Sequence, residues 1–287
     1  LIRAAGRRGA VDVVLDSREM YEGIVPDRAS PFSGWVAVTR GCDNFCSYCI
    51  VPMTRGRERS IPAKRILADV GRLRDEGCRE VTLLGQNVNA WREDARDFSD
   101  LLDMVAATGI GWVRFLTSHP RDLSERVFDI MARRGNVCPH LHLPLQSGSD
   151  PILRAMNRGY AVEWYAGLVE KARRAVPGLS VTTDLIFGFP GETEEDYRAT
   201  VGVMERLRFD FAFLYRYSER GGTPACGLPD PVPEEVRIER LKQAIALQNG
   251  ACERREDGEH MQDVVGKILL GSASAHAQKA DQRIFIN

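Results

Sequence analysis

Three cysteines follow one another closely in the stretch TRGCDNFCSYCIVPMTRGRERS, which occupies positions 39–60. Cys42, Cys46 and Cys49 have the spacing C-x3-C-x2-C, and thiolates are typical ligands of zinc or of iron–sulfur clusters. A structural zinc ion takes four ligands, usually from two short pairs, and only one such pair is present here. A four-iron cluster normally takes four thiolates. With three, one iron keeps an open position, and an open metal position is typical of chemistry rather than of structure.

Strand-like runs recur along the chain, and each ends near polar residues or glycines. The runs are WVAVTR (35–40), EVTLL (80–84), WVRFLT (112–117), HLHLPL (140–145), SVTTDLIF (180–187) and FAFLYRY (211–217). Segments with helical periodicity separate them, for example the apolar stripe of Ile66, Leu67, Val70 and Leu73. Strand followed by helix, six times over, predicts a parallel sheet with the helices outside it.

Six such units are too few for a closed eight-fold barrel. We therefore predict an α/β fold, an open parallel (βα)6 partial barrel, followed by a truncated C-terminal small β module. In parallel α/β folds the chemistry gathers at the carboxyl ends of the strands, and the three cysteines directly follow the first strand. We expect residues 1–34 to be a linker or the remnant of a preceding domain, residues 35–255 to be the core, and residues 256–287 to be a partial β module.

Composition bounds the class of protein. The 39 basic and 40 acidic residues give a net charge of −1, so nucleic-acid affinity must come from local patches. No stretch approaches the roughly 20 apolar residues that a membrane span needs, so no membrane association is expected. Seven cysteines, an odd number, and no secretion signal argue against a disulfide framework and predict a cytoplasmic protein. The chain begins with Leu1 and is interpreted as an internal fragment.

The cysteine spacing after the first strand of a partial barrel resembles that of the radical S-adenosylmethionine (SAM) enzymes. The wider motifs GCDNFCSYCIVPMTRGRERS, LLGQNVNAW, SHP, LHLPLQSGSD, LRAMNRGY and TTDLIFGFPGETEEDY resemble the radical SAM methylthiotransferases. They are most similar to the branch that adds a methylthio group to C2 of isopentenyl-modified adenosine beside the tRNA anticodon. The resemblance covers about residues 10 to 255.

The resemblance implies that Cys42, Cys46 and Cys49 bind a 4Fe-4S cluster whose open iron is chelated by the methionine part of SAM. Reductive cleavage of SAM then gives a 5′-deoxyadenosyl radical, and SAM also serves as the methyl donor. The aromatic ring of Tyr48 would lie against the adenine. The sulfur is expected to come from a second iron–sulfur cluster in an N-terminal domain that the fragment lacks. The C-terminal module resembles the start of the small RNA-binding barrel called TRAM.

Polar residues at later strand ends are the other predicted SAM contacts. Gln86 and Asn87 are assigned to the methionine end of SAM, and loop capping is their alternative role. Gln146 and Ser147 are predicted to touch SAM. Gly188, which lies between a strand and a helix, permits close backbone approach to the adenosine side.

Asp184 is predicted to border the SAM site as well, but it also belongs to an alternative. His140 and His142 are two positions apart on one strand, so both point to the same face. With Asp184 they would form the site of a metal-dependent barrel hydrolase. That alternative leaves the cysteine loop unexplained.

Arg55, Arg57 and Arg59 follow the cysteines and are predicted to bind tRNA phosphate, with a solvated charged loop as the alternative. Met53 occupies a position where the family typically has tyrosine. The expected partners are the tRNA substrate and a reductant such as flavodoxin or ferredoxin, and the chain is expected to be a monomer. A non-catalytic RNA-binding iron–sulfur module is the remaining alternative.

Overall fold

The structure is a computed structural model that describes residues 31–256, with the backbone alone for residues 251–256. Most of the predicted linker and nearly all of the predicted C-terminal β module therefore lie outside the described residues. None of the described helices combines the length and the apolar character that a bilayer span requires.

Ten strands and eight α-helices make up the described part of the chain. The strands are β1 (Ser33–Ala37), β2 (Thr39–Arg40), β3 (Arg59–Ser60), β4 (Glu80–Leu84), β5 (Arg92–Glu93), β6 (Arg96–Asp97), β7 (Trp112–Phe115), β8 (His140–His142), β9 (Ser180–Phe187) and β10 (Phe211–Arg216). The helices are α1 (Val51–Arg55), α2 (Ala63–Asp75), α3 (Phe98–Ala106), α4 (Arg126–Arg133), α5 (Asp150–Ala155), α6 (Val162–Ala175), α7 (Glu194–Leu207) and α8 (Glu234–Glu256).

Six strands form an open parallel sheet in the order β1-β4-β7-β8-β9-β10. Two three-stranded halves, β1-β4-β7 and β8-β9-β10, are each parallel throughout. The segment just before β8 joins them, because Val113 pairs in parallel with Val137 and the amide of Cys138 donates to the carbonyl of Val113 at 2.9 Å. Within residues 31–256 no strand pairing connects β1 to β10, so the sheet stays open. The predicted (βα)6 partial barrel is confirmed.

The six predicted strands are all present, with differences at their ends. The fourth is the shortest: it was expected to reach Leu145, but the regular ladder stops at His142. Pro144 has no amide hydrogen to donate, which interrupts the pairing. The strand resumes for one residue, where the Gln146 amide donates to Asp184 and the Gln146 carbonyl accepts from Ile186.

Apolar helix stripes pack on the outside of the sheet and build one main core. In α2 the buried residues include Ile66, Val70 and Leu73, as the periodicity predicts. A second, smaller cluster lies beside the carboxyl ends of the strands and comprises Ile152, Met156, Phe189, Tyr217 and Ala225, with Tyr48, Ile186 and Leu228 packed against it. Tyr48 of the cysteine loop packs against this second cluster, which therefore supports the loop.

Candidate functional site

The cysteine loop is closed at its base by a short antiparallel ladder. Thr39 of β2 pairs with Ser60 of β3, so residues 41–58 form one excursion above the carboxyl end of β1. Gly41 begins this excursion at φ +73°, and a Cβ atom there would lie 2.1 Å from the carbonyl oxygen of Arg57. Only glycine fits that close approach of two backbone segments.

Side chains from the first half of the sheet hold one side of the loop. The carbonyl oxygen of the Gln86 side chain accepts from the Gly41 amide at 2.7 Å. The Asn87 side chain is buried and donates to a carboxylate oxygen of Asp122 at 2.6 Å. Asn44 in the loop donates to the same oxygen at 3.1 Å. Gln86 and Asn87 therefore anchor the cysteine loop through hydrogen bonds that begin at the end of β4.

Residues at the end of α5 hold the other side of the loop. The Ser47 amide and hydroxyl donate to the carbonyls of Met156 and Ala155, at 3.0 and 2.7 Å. The Asn157 side chain donates to the carbonyl of Phe45 at 3.0 Å. These bonds give hydrogen-bond partners to backbone groups of the loop and of the end of α5 that would otherwise be unpaired.

The three thiols differ in exposure. Cys46 is buried, whereas Cys42 and Cys49 are half-buried. Burial raises the pKa of both Cys42 and Cys49, and the neighbouring Cys46 raises both further. The Asn44 side-chain amide points its hydrogens at the Cys42 sulfur across 3.6 Å. Cys46 therefore acts electrostatically on the other two cysteines of the loop, Cys42 and Cys49.

Arg158 lies directly beneath the loop and is 4% exposed. Its guanidinium group donates to the Cys46 sulfur at 3.3 Å, to the Tyr48 hydroxyl at 3.4 Å and to the Tyr160 hydroxyl at 2.8 Å. A fourth bond, of 2.8 Å, runs to the carbonyl of Pro144. Burial raises the pKa of Tyr48, although Arg158 opposes the rise.

A cavity of about 660 Å³ opens beside the third cysteine. Its lining comprises Tyr48, Cys49, Ile50, Val51, Gln146, Asp184, Ile186, Leu214, Tyr215, Arg216, Tyr217, Ser218, Arg220 and Leu241. The side-chain carbonyl oxygen of Gln146 is buried without a hydrogen-bond partner in the described protein. Mixed apolar walls with a few polar groups are typical of pockets for small organic ligands.

The structure brings together some of the predicted SAM contacts and separates others. Tyr48, Gln146 and Asp184 line the cavity. Ser147 is fully buried and its hydroxyl lies 3.4 Å from that of Thr200 on α7, away from the cavity lining. The predicted contact of Ser147 with SAM stays a prediction.

Gly188 also lies outside the lining of the cavity. Its φ is +74°, its amide donates to the Glu192 carboxylate at 2.8 Å, and a Cβ there would lie 2.3 Å from the side chain of Arg237. The glycine thus allows a turn to pack against α8. Gln86 and Asn87 are likewise absent from the lining, and for these three residues the SAM contact also stays a prediction.

The histidine pair lies on the inner face of the sheet. A ring nitrogen of His140 and one of His142 share the hydroxyl of Thr182, at 2.9 and 3.0 Å, and His142 lies 3.5 Å from Asp184. Burial, together with the nearby His142 and Arg114, lowers the pKa of His140 to about 4. In residues 31–256 no three His, Cys, Asp or Glu side chains lie so as to hold one metal ion. The metal-dependent hydrolase alternative is not supported.

The three loop arginines lie beside the cysteines in different settings. Arg57 forms a 2.8 Å ion pair with Asp43, and its guanidinium lies over the ring of Phe45, 5.4 Å from the centroid. Arg55 and Met53 are exposed, whereas Arg59 is half-buried and donates to the Arg55 carbonyl at 3.5 Å. Arg55 and Arg57 therefore offer exposed positive charge at the rim of the loop.

Sequence reasoning missed Arg158, although the motif LRAMNRGY that contains it was noticed. The one signal was its place in that motif, because an arginine that becomes buried needs a partner of opposite charge or hydrogen-bond acceptors. It also missed the brace formed by Asn44 and Asp122, because those residues stand 78 positions apart.

Comparison with family models gives one match, to the Radical SAM superfamily over residues 36–203. Among curated relatives, a tRNA-2-methylthio-N(6)-dimethylallyladenosine synthase of Chlorobium phaeobacteroides is 46% identical over 283 residues, which is 97% of this chain and 62% of the relative. The protein of that name in Porphyromonas gingivalis is 48% identical over 96% of this chain and 60% of the relative. The chain spans 54% to 62% of the length of the curated relatives it matches.

Solved structures share the fold at low identity. Coproporphyrinogen III oxidase (HemN) from Escherichia coli, a radical SAM enzyme, matches with a TM-score of 0.57 at 17% identity, covering 77% of this chain and 54% of that one. The radical SAM methyltransferase TsrM from Kitasatospora setae matches with a TM-score of 0.55 at 20% identity, covering 67% and 38%.

Proposed function

Because this chain belongs to the Radical SAM superfamily, we propose that it is the core of a tRNA methylthiotransferase acting on isopentenyl-modified adenosine. One observation carries the proposal: three thiols of a single loop lie at the carboxyl ends of parallel strands, and the third borders a cavity large enough for a small organic cofactor. Ligand sites of parallel α/β folds gather at this edge of the sheet.

The chemistry of the donor set fits a 4Fe-4S cluster bound by Cys42, Cys46 and Cys49. The ligands of a zinc ion lie about 2.3 Å from the metal, so they crowd together, and the described residues contain no such group of three. A four-iron cluster is larger than one ion and accepts more widely spaced thiolates. Donors that point at the sulfurs, from Asn44 and Arg158, suit negatively charged thiolates.

Bound cluster and SAM would supply a carbon-centred radical that removes hydrogen from an unreactive C–H bond. The residues of this chain would orient SAM and keep water away from it. Tyr48 would cover one face of the adenine, and the unpartnered oxygen of Gln146 would accept from the SAM ammonium group. Asp184 would carry a second acceptor at the same wall.

The proposed substrate rests on the relatives. Proteins that are 46% to 50% identical to this chain carry the name tRNA-2-methylthio-N(6)-dimethylallyladenosine synthase. We propose that the exposed rim of Arg55 and Arg57 binds the phosphates of such a tRNA, since base-independent contacts of this kind position nucleic acid. The ion pair of Arg57 with Asp43 is solvent-exposed and weak, so it would yield to a phosphate.

A cytoplasmic location, a monomeric state and a flavodoxin or ferredoxin as reductant complete the proposal. A second iron–sulfur cluster remains an expectation from the resemblance alone.

The test begins with anaerobic reconstitution using iron and sulfide, followed by a count of iron per chain. Dithionite and SAM are then added, and 5′-deoxyadenosine is measured. About four irons per chain and cluster-dependent 5′-deoxyadenosine support the proposal and exclude the non-catalytic RNA-binding module. A tightly held zinc ion without product would overturn it.

The substrate is tested separately with an anticodon stem-loop. A loop that carries isopentenyladenosine should bind more tightly than the same loop with unmodified adenosine. Equal affinity for the two RNAs, in a chain that cleaves SAM, would keep the superfamily chemistry and contradict the assigned substrate.

A further inference from the structure

Arg158 differs from the other buried arginines of the chain. Among residues 31–250, whose side chains the structure describes, three arginines are less than 9% exposed: Arg158, Arg237 and Arg240. Arg237 lies 2.8 Å from the Glu219 carboxylate, and Arg240 lies 2.7 Å from that of Glu192. Among the side chains of residues 31–250, no carboxylate forms an ion pair with Arg158. A buried charge without a counter-charge is strongly destabilising, so this cation calls for an anion that the other two do not need.

The contacts of Arg158 indicate where that anion would be. The group donates to two phenol hydroxyls and one backbone carbonyl, all of them neutral. The remaining contact is the Cys46 sulfur, 3.3 Å from a guanidinium nitrogen. Of the four acceptors, this thiol is the one that loses its proton when it binds a metal.

We propose that Arg158 is a positioning residue that supplies the counter-charge of the Cys46 thiolate and raises the reduction potential of the cluster bound there. The inference rests on the proposed function, since it requires the three cysteines to hold an iron–sulfur cluster. Hydrogen bonds to the sulfur ligands and nearby charge are among the factors that set cluster potentials.

The direction of the effect follows from electrostatics. One-electron reduction by an external reductant adds a negative charge next to Arg158, in a place from which water is excluded. A fixed positive charge there stabilises the reduced state more than the oxidised state, because attraction is stronger at low dielectric. Removing the charge should therefore make the cluster harder to reduce.

The same residue also ties the cluster ligand to the predicted adenine contact. Arg158 donates to Tyr48 and, through Tyr160, is held against the strand end that carries Gln146: the Tyr160 hydroxyl donates to the Leu145 carbonyl at 2.9 Å. Arg158 thus connects the cysteine loop with the end of β8, although Arg158 and Cys46 are more than one hundred residues apart in the sequence.

The test is a redox titration of the reconstituted 287-residue chain, followed by electron paramagnetic resonance in the absence of SAM. Iron is counted first in the wild type and in Arg158→Met, Arg158→Lys and Arg154→Met. We expect Arg158→Met to lower the reduced-to-oxidised ratio at a fixed potential at least tenfold, equal to about 59 mV for a one-electron couple. Arg158→Lys keeps the charge and should shift the midpoint less.

Arg154→Met is the matched control, since Arg154 stands on the same segment but is exposed. Its midpoint should equal that of the wild type, because exposed charges are screened. An Arg158→Met protein with the wild-type iron content and an unchanged midpoint would overturn the inference and leave the proposed function intact. A wild-type chain that loads no four-iron cluster would overturn both.

A second measurement decides the matter if Arg158→Met does not fold or does not hold iron. The wild type is labelled with arginine carrying nitrogen-15 in the guanidinium group, reduced, and studied by pulsed electron paramagnetic resonance. Weak nitrogen-15 coupling to the cluster that is absent in unlabelled protein and lost in Arg158→Lys supports the contact. Labelled wild type without that coupling contradicts it.

Discussion

The two halves of the sheet present polar side chains at the same edge but use them differently. After β4, the side chains of Gln86 and Asn87 bind the cysteine loop and its neighbour Asp122. After β8 and within β9, Gln146 and Asp184 line a cavity instead. The difference arises from what each half meets, because the Gln86 side chain reaches the base of the cysteine loop at Gly41, whereas the cavity lies between the loop and the ends of β9 and β10.

This contrast shows that position at a strand end does not by itself identify a ligand contact. A polar side chain whose hydrogen bonds are all made within the protein holds the scaffold, whereas one that lines a cavity and keeps an unpaired acceptor is available to a ligand. The two halves meet at the cysteine loop. The first half holds the loop through the side-chain amide of Gln86, and the second half contacts it through Arg158. Changes confined to one half should therefore alter stability or ligand binding, but not both.

Loss of a thiol should have the largest effect, because both halves of the sheet contact the cysteine loop. Cys46→Ala should reduce iron per chain below about one and abolish 5′-deoxyadenosine formation. The loss of metal affinity in Cys46→Ala should exceed the 10- to 100-fold loss that is typical when a residue next to a metal ligand is replaced. Iron analysis and product chromatography measure both.

The control for Cys46→Ala is Cys226→Ala, because Cys226 is exposed and its thiol donates to the carbonyl of Arg220, which is not part of the cysteine loop. That variant should keep about four irons. Equal iron loss in the two variants would contradict the assignment of Cys46 as a ligand.

Local patterns predicted the six parallel strands and the cysteine loop at the end of the first strand, because apolar runs and short spacings are encoded within a few residues. The roles of Gln86, Ser147 and Gly188 could not be read in this way. Their partners are a loop amide, a hydroxyl on α7 and an arginine on α8, each distant in sequence. Arg158 was missed for the same reason, since its value lies in a contact with Cys46 that only the packed loop creates.

His140 tests the buried inner face of the second half. Its pKa of about 4 lies below the unfolded value of 6.5, so between these pH values the unfolded chain binds a proton that the folded chain does not. Stability is therefore complete above pH 6.5 and falls towards pH 4, by about 1.4 kcal/mol per pH unit for one proton. His140→Gln should remove this slope, a difference of about 3 kcal/mol at pH 4.

Urea unfolding of both proteins between pH 4 and pH 8 measures the effect. At pH 8 the histidine is neutral in the folded and unfolded chains, so the difference between the two proteins there reports packing alone. A constant difference across the whole range would contradict a depressed pKa for His140.

Asn87 tests the first half as a scaffold. Asn87→Ala removes the partly buried bond to Asp122 and the buried acceptor for the His119 amide. We expect the free energy of unfolding to fall by about 1–3 kcal/mol, the usual cost of leaving buried groups unpaired. Affinity for SAM, measured on folded protein loaded with iron, should stay within about twofold, a change of less than 0.5 kcal/mol.

The matched control is Asn89→Ala, two residues along the same turn. Asn89 is as buried as Asn87, but neither polar atom of its side chain has a partner in the described protein. Its replacement should cost less than that of Asn87. The reverse order would remove the evidence that hydrogen bonds at the end of β4 hold the cysteine loop.

Replacement of Gln146 should change stability least, and its expected effects on stability and on SAM affinity are the opposite of those for Asn87. Because its side-chain oxygen has no partner within the described protein, Gln146→Ala should change the free energy of unfolding by less than about 1 kcal/mol. If that oxygen accepts from the SAM ammonium group, affinity should fall about tenfold, equal to about 1.4 kcal/mol. Anaerobic equilibrium dialysis with the oxidised, cluster-loaded protein measures the affinity.

Ser147→Ala is the control for Gln146, since the neighbouring serine is buried against Thr200 and lies outside the lining of the cavity. It should lower stability and leave SAM affinity unchanged, the opposite of Gln146→Ala. The two variants would then show that, of two adjacent residues at one strand end, one stabilises the fold and the other contacts the ligand. If instead Ser147→Ala weakened SAM binding and Gln146→Ala did not, the ligand would approach from the α7 side, and the free oxygen of Gln146 would have no part in binding it.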